Sequence, residues 1–230
     1  MIGVIVNTLA VICGSSVGLI FRRGIPKRLT DAVMIAIGLC TIYIGVSGSL
    51  KGQNTLVAII SMVIGAVAGT LIDLDKWLSR LGDKVAQKTR LDKSGGPSVA
   101  EGFVTASLLF CVGAMTVVGS LNSGLSGDNE LIFTKSLLDL ISSTMLAASL
   151  GVGVLFSAVF IFLFQGAIVL MAQYLAPVLT DSAIAEMTCV GSLMIIALGL
   201  NMLGISRFKV ANYLPALIIA PIAVWIAGLI

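Results

Sequence analysis

The chain has 230 residues, of which 58% are hydrophobic and 11% charged, with a mean hydropathy of +1.11 and a formal net charge of +3. A soluble domain carries about a quarter charged residues, so too little polar surface is left here to coat a globule. That excludes a soluble enzyme, a disulfide scaffold, a disordered chain and a nucleic-acid binder, and points to an all-α polytopic membrane protein. A membrane barrel would alternate its apolar residues instead of running them in blocks.

Apolar runs of about 18 residues or more read as transmembrane helices, and eight are expected. The first, near 2–21, holds Asn7 and the small residues Gly14, Ser15, Ser16 and Gly18, which suit close helix packing. No basic residue precedes its apolar core, so it does not read as a signal peptide. The basic cluster Arg22, Arg23, Lys27 and Arg28 follows it. The second span is placed near 29–48, with Thr30 and Asp31 as a helix cap, and the third near 55–73, with Gly65, Ala68 and Gly69 for packing.

The 74–100 loop contains an amphipathic helix over 74–91. Leu74, Trp77, Leu78, Leu81 and Val85 recur at helical spacing among Asp75, Lys76, Arg80, Asp83 and Lys84. It should lie on the cytoplasmic membrane surface with Trp77 at headgroup depth. Four spans follow, near 102–120, 131–149, 151–174 and 183–204, and an eighth near 210–229.

The basic residues orient the bundle. If the first basic cluster is cytoplasmic, alternation places the 74–100 and 205–209 loops inside as well, and twelve of the fourteen basic residues then fall on that side. Both termini are therefore expected outside. Dropping the weakest span, 131–149, would put Arg207 and Lys209 on the wrong side.

The chain also resembles itself. Residues 3–31 align with 153–181 without a gap, from Gly3-Val4 with Gly153-Val154 to Leu29-Thr30-Asp31 with Leu179-Thr180-Asp181. Echoes link Cys40, Cys111 and Cys189. One polytopic domain over 1–230 is expected, in units of about 1–73, 74–150 and 151–230. Spans one to three and six to eight would form an inverted repeat, an arrangement typical of secondary transporters.

Charges at membrane depth are costly and are candidates for function. Lys135 and Asp139 stand at i and i+4 on one face of the fifth span, and Ser142 and Ser143 continue that stripe inward. Glu186 lies just inside the seventh span, where an acid suits a helix start or binds a cation or proton. Asn7, Gln165, Asn201 and Asn212 are amides that must find partners in the membrane. Pro215 frees a carbonyl near Asn212. Lys135, Asp139, Ser142, Ser143, Glu186, Asn201 and Asn212 are expected to line a central solute or ion site.

No cofactor or metal is implied. Histidine is absent, and Cys13, Cys40, Cys111 and Cys189 are scattered through apolar blocks and read as small buried apolar residues. Nucleophile, Walker and dinucleotide motifs are missing, so neither an enzyme nor an ATP-driven pump is expected.

The stretch Phe110-Cys-Val-Gly-Ala-Met115 with Gly119-Ser120 carries a resemblance. So do Lys135-Ser136 with Asp139, Phe156-Ser157, Gln165-Gly166, Glu186 with Gly191, Gly199-Leu200-Asn201, and Asn212 with Pro215. With these motifs the chain resembles the YqgA/YdfK-like family of bacterial inner-membrane proteins, a family of unknown function (DUF554). The resemblance implies one polytopic domain in a bacterial plasma membrane, and no ligand or catalytic residue. Asp73 departs from the Gly-Glu pair expected near that position.

The function expected is secondary transport or facilitated passage of a small solute or ion, with the lipid bilayer and a second copy of the chain as partners. The alternatives are a non-transporting scaffold or regulator acting through the 74–91 helix, and a passive channel.

Overall fold

The computed structural model describes residues 1–22, 27–80 and 98–228. These form helices α1 (Ile2–Arg22), α2 (Lys27–Ser49), α3 (Thr55–Ile72), α4 (Val99–Cys111), α5 (Ala114–Leu125), α6 (Glu130–Leu150), α7 (Gly153–Leu170), α8 (Ala172–Leu175), α9 (Asp181–Met202) and α10 (Ala216–Ala227). Residues 74–80 are also helical, a 3-10 turn spans Val210–Tyr213, and there is no strand among the described residues.

Local chemistry sets several of the helix starts. Asn54 caps α3 by accepting from the amides of Leu56 and Val57, Ser98 caps α4 through Glu101, and Thr180 caps α9 through Ala183. The matching role expected for Thr30 does not occur, because α2 begins three residues earlier at Lys27. The side chains of Thr30 and Asp31 lie outside the described residues. Asp73 ends α3 in the left-handed conformation (φ 55°), with its amide bonded to the Thr70 carbonyl at 3.1 Å. Asp tolerates that conformation better than most residues, so the position expected to carry a glycine still turns the chain into helix 74–80. The rest of the amphipathic 74–91 segment lies outside the described residues.

Six helical segments among the described residues are long and apolar enough to cross a membrane, and the pair α4/α5 would make a seventh. All eight expected segments are helical, but the fourth is not the straight span over 102–120. It breaks at Val112–Gly113, where α4 and α5 diverge by 62°. Gly113 adopts φ +150°, a conformation open to glycine and strained for side-chain-bearing residues. The Thr116 hydroxyl donates to the Phe110 carbonyl at 2.9 Å and satisfies a group the break leaves behind. The sixth segment ends its main helix at Leu170, with the short α8 beyond it. The eighth opens as a 3-10 turn, and α10 begins after Pro215. The apolar part of α2, Met34–Ser49, is shorter than a full span.

Glycines bring the helices together. Gly14 and Gly18 of α1 lie against the Leu140 and Thr144 carbonyls of α6. The partners advance together along both chains, so the two helices run parallel. Gly38 of α2 packs on Leu203, the residue after α9, and Gly45 and Gly48 pack on Ile196 and Ser192 of α9, in antiparallel order. Gly65 and Gly69 of α3 pack on Ala216 and Asn212, again antiparallel. Antiparallel α1 and α7 meet through Asn7–Gln165 and through clusters that join Val4 to Val169 and Val11 to Ile161. Gly102 of α4 and Gly153 of α7 also approach closely. Without a hydrophobic drive between helices in lipid, such close backbone approach supplies much of the association.

The outer faces carry large apolar side chains. Leu137, Leu138 and Ile141 are more than half exposed on α6, as are Ile20, Tyr43, Leu71 and Leu163 elsewhere. A soluble monomer rarely exposes so much contiguous apolar surface. Cys111 and Cys189 are buried as expected, but Cys13 and Cys40 are exposed. Helical phase puts the latter two on the outward face, which apolar flanking sequence alone does not reveal.

Candidate functional site

Helix α6 turns its two charges inward. Lys135 and Asp139 are one turn apart, and the Lys135 Nζ lies 2.7 Å from Asp139 Oδ1 and 2.6 Å from Oδ2. Both residues are buried, at 6% and 5% exposure. A lone charge there would be costly, and the two-pronged contact makes the pair neutral as a unit. The Phe110 ring centroid is 5.8 Å from Nζ, within cation–π range.

Helices α1 and α7 complete the surroundings. Asn7 sits beside the Asp139 carboxylate, and its Nδ2 donates to Gln165 Oε1 at 3.3 Å. Asn7 and Gln165 are fully buried, yet Asn7 Oδ1 and Gln165 Nε2 have no hydrogen-bond partner among the described residues. Buried polar atoms are normally satisfied, so one unused acceptor and one unused donor beside an ion pair mark a place able to hold a small polar species. Asn7, Lys135 and Gln165 each lie five residues from a helix end, roughly 8 Å deep at 1.5 Å per residue.

The helix break adjoins this cluster. Phe110, which covers Lys135, lies three residues before Gly113. The next three residues, Cys111, Val112 and Gly113, line an apolar cavity of about 570 Å³. The α5 N-terminus has no side-chain cap.

The other expected site residues are elsewhere. Ser143 is buried where α6 meets Gly14 of α1, but Ser142 is exposed. It falls at the margin of the buried arc of α6, where no helix among the described residues covers it. Glu186 is 1% exposed, and its Oε1 accepts from the amides of Gln53 and Asn54, both at 2.6 Å. It therefore ties α9 to the start of α3, where the helix dipole favours an anion. Asn201 accepts from Ser206 and from the Phe208 amide and donates to the Phe208 carbonyl, which closes the loop after α9. Asn212 accepts from the Asp75 amide at 2.8 Å and holds the start of helix 74–80. The seven residues expected in one site are instead divided: Lys135 and Asp139 pair beside Asn7 and Gln165, while Glu186, Asn201 and Asn212 hold other elements, and Glu186 Oε2 is buried with no partner among the described residues.

Replacing Glu186 by Ala should therefore act on structure at the α2–α3 connection. Loss of two hydrogen bonds to a charged acceptor is expected to cost about 3 kcal/mol. Amide hydrogen exchange at Gln53 and Asn54 will speed up, and the Lys135–Asp139 contact will be unaffected.

Phe110 was not singled out from the sequence as a contact of Lys135. The local cue was Gly113 three residues on, and a single glycine is tolerated inside a helix, so it marked no break by itself.

A family model described as "Protein of unknown function (DUF554)" matches residues 2–225. The chain is 34% identical over 230 residues to "Uncharacterized membrane protein YdfK" of Bacillus subtilis (strain 168), covering 98% of this chain and 96% of that protein. It is 29% identical over 222 residues to "Uncharacterized protein YqgA" of Escherichia coli (strain K12), covering 96% and 94%. No solved structure matches the chain.

Proposed function

Because the chain belongs to the DUF554 family of proteins of unknown function, the site must supply the function, and we propose a plasma-membrane carrier or facilitator for a small solute or ion, built around Lys135 and Asp139. The observation that carries this reading is a buried ion pair at membrane depth, with Phe110 of a broken helix set against its Lys135. Interrupted helices in a membrane are tolerated where they line a cavity or binding site.

The packing supports an eight-segment, alternating topology for this carrier. Segments one and five run parallel. Segments one and six, two and seven, and three and eight run antiparallel. Strict alternation requires each of those directions.

The same contacts support an inverted repeat. Val11 and Ile161 share a core cluster and are 150 residues apart. Gly45 meets Ile196 and Gly65 meets Ala216, each 151 apart. The ungapped alignment of 3–31 with 153–181 has the same 150-residue offset. A two-fold axis in the membrane plane would bring each helix of one repeat against its own counterpart near such points. Two such halves can rock about a site between them, and Asn7 of one half meets Gln165 of the other.

Flux into liposomes tests the proposal. The reconstituted chain is expected to move at least one solute from a panel of small ions, amino acids and polyamines. The neutral double variant Lys135→Met/Asp139→Leu is expected to abolish that movement while remaining folded. Absence of any flux, or undiminished flux in the double variant, refutes the assignment.

A further inference from the structure

Two cavities meet at the end of the bundle that carries helix 74–80 and the 206–209 loop. The first is the apolar cavity of about 570 Å³. It follows α4 from Val99 to the break at Gly113, a rise of about 18 Å for the helical part at 1.5 Å per residue. Phe103, Phe156, Phe160 and Phe164 form much of its wall. The Phe103 and Phe160 rings meet edge to face at 6.0 Å, and Phe160 stacks on Phe164 at 6.0 Å. Trp77 lines the cavity at its helix 74–80 end and is 57% exposed.

The second cavity, of about 450 Å³, shares Leu78, Ala100 and Val104 with the first. Its character is opposite. Arg207 and Lys209 contribute two positive charges and Asp75 and Glu101 two negative ones, and Ser98 and Asn201 add uncharged polar groups. None of these four charged groups is in an ion pair among the described residues.

An apolar slot joined to a polar chamber fits an amphiphile. The slot is about as long as half the hydrocarbon core of a bilayer, roughly 15 Å, which is the reach of one acyl chain. The chamber offers both signs of charge, so it complements a headgroup carrying both a phosphate and an ammonium. A purely anionic head would meet Asp75 and Glu101 unfavourably. An interfacial tryptophan at the rim is the usual marker of headgroup depth.

We propose that the two cavities together hold one bilayer glycerophospholipid with a zwitterionic amino headgroup. Its phosphate faces Arg207 and Lys209, its ammonium faces Asp75 and Glu101, and one acyl chain runs along the phenylalanines of α4 and α7. This site is distinct from the Lys135–Asp139 cluster and stands whether or not the protein moves a solute.

The test places the full chain in nanodiscs that contain phosphatidylethanolamine with a photoreactive acyl chain. Cross-linking is expected to saturate at one lipid per chain and to map to residues 99–113 and 153–170. Unlabelled phosphatidylethanolamine should compete about fivefold better than phosphatidylglycerol at equal mole fraction, and Arg207→Glu/Lys209→Glu should lower occupancy by about the same factor or more. Those two side chains are exposed, so the fold should survive their replacement. Ala100→Trp, which fills the shared wall, should abolish labelling, whereas Leu138→Trp on the outward face of α6 should leave it unchanged. Labelling that rises in proportion to lipid content without saturating would mean ordinary boundary lipid and overturn the site. Equal competition by phosphatidylglycerol, or full labelling of the charge-reversed variant, would overturn the headgroup assignment.

Discussion

Lys135→Met with Asp139 left in place will destabilise the protein by about 3–5 kcal/mol, because it strands a carboxylate whose present partner holds both of its oxygens. Asp139→Leu will do the same by stranding the ammonium, with only the Phe110 ring and neutral amides nearby. Removing both together will recover most of the loss, since a neutral apolar pair of similar volume avoids the desolvation cost altogether. Thermal unfolding of the three variants in one detergent gives the coupling energy directly. A purely structural pair would regain activity along with stability. In the carrier reading, stability returns and flux does not. If the single variants unfold at the wild-type temperature, the pair is not closed in the membrane as described.

Gly18→Leu will separate α1 from α6. A side chain at Gly18 meets the Thr144 carbonyl oxygen, with the Ala147 Cβ and Ala148 amide at 3.0 Å. Backbone atoms cannot rotate away as a long side chain can, so the expected loss is about 3 kcal/mol or more. The midpoint of heat-induced loss of monodispersity should fall accordingly. Gly166→Ala is the internal control. A Cβ there meets only the Met1 Cε at 3.8 Å, an ordinary contact. Alanine is also the better helix former, by about 0.5–1 kcal/mol. The two glycine substitutions should therefore move stability in opposite directions. Equal effects would mean that α1 does not lie against α6 in this register.

Much of the fold was legible because membrane helices are specified locally. A run of apolar residues long enough to span needs no knowledge of its neighbours, and the described residues form helices, six of them long and apolar enough to cross a membrane. The break at Gly113 was less legible. A lone glycine in an apolar run leaves a continuous helix as plausible as an interrupted one, and only the observed φ of +150° separates the two. The ion pair was legible for the same local reason. Four residues is one turn, so Lys135 and Asp139 share a face in any helix that contains both.

Glu186, Asn201 and Asn212 show where local reading stops. Each is a polar group in an apolar stretch, and from the sequence each is as good a site candidate as Asn7 or Gln165. Their partners are Gln53 and Asn54, Phe208, and Asp75. Glu186 and Asn212 bond to loop or helix-start amides more than 130 residues away, so no spacing rule links them. The sequence alone determined that this is a helical membrane chain, where its apolar segments lie and which two charges face each other within one turn. The tertiary structure alone decided that Asn7 and Gln165 join that pair, that Glu186, Asn201 and Asn212 are anchors, and that the fourth segment bends beside the pair. Periodicity sets the face and depth of a residue along its own helix. Which helices stand side by side depends on how closely two distant backbones can approach, and here glycine positions on non-consecutive segments set that distance.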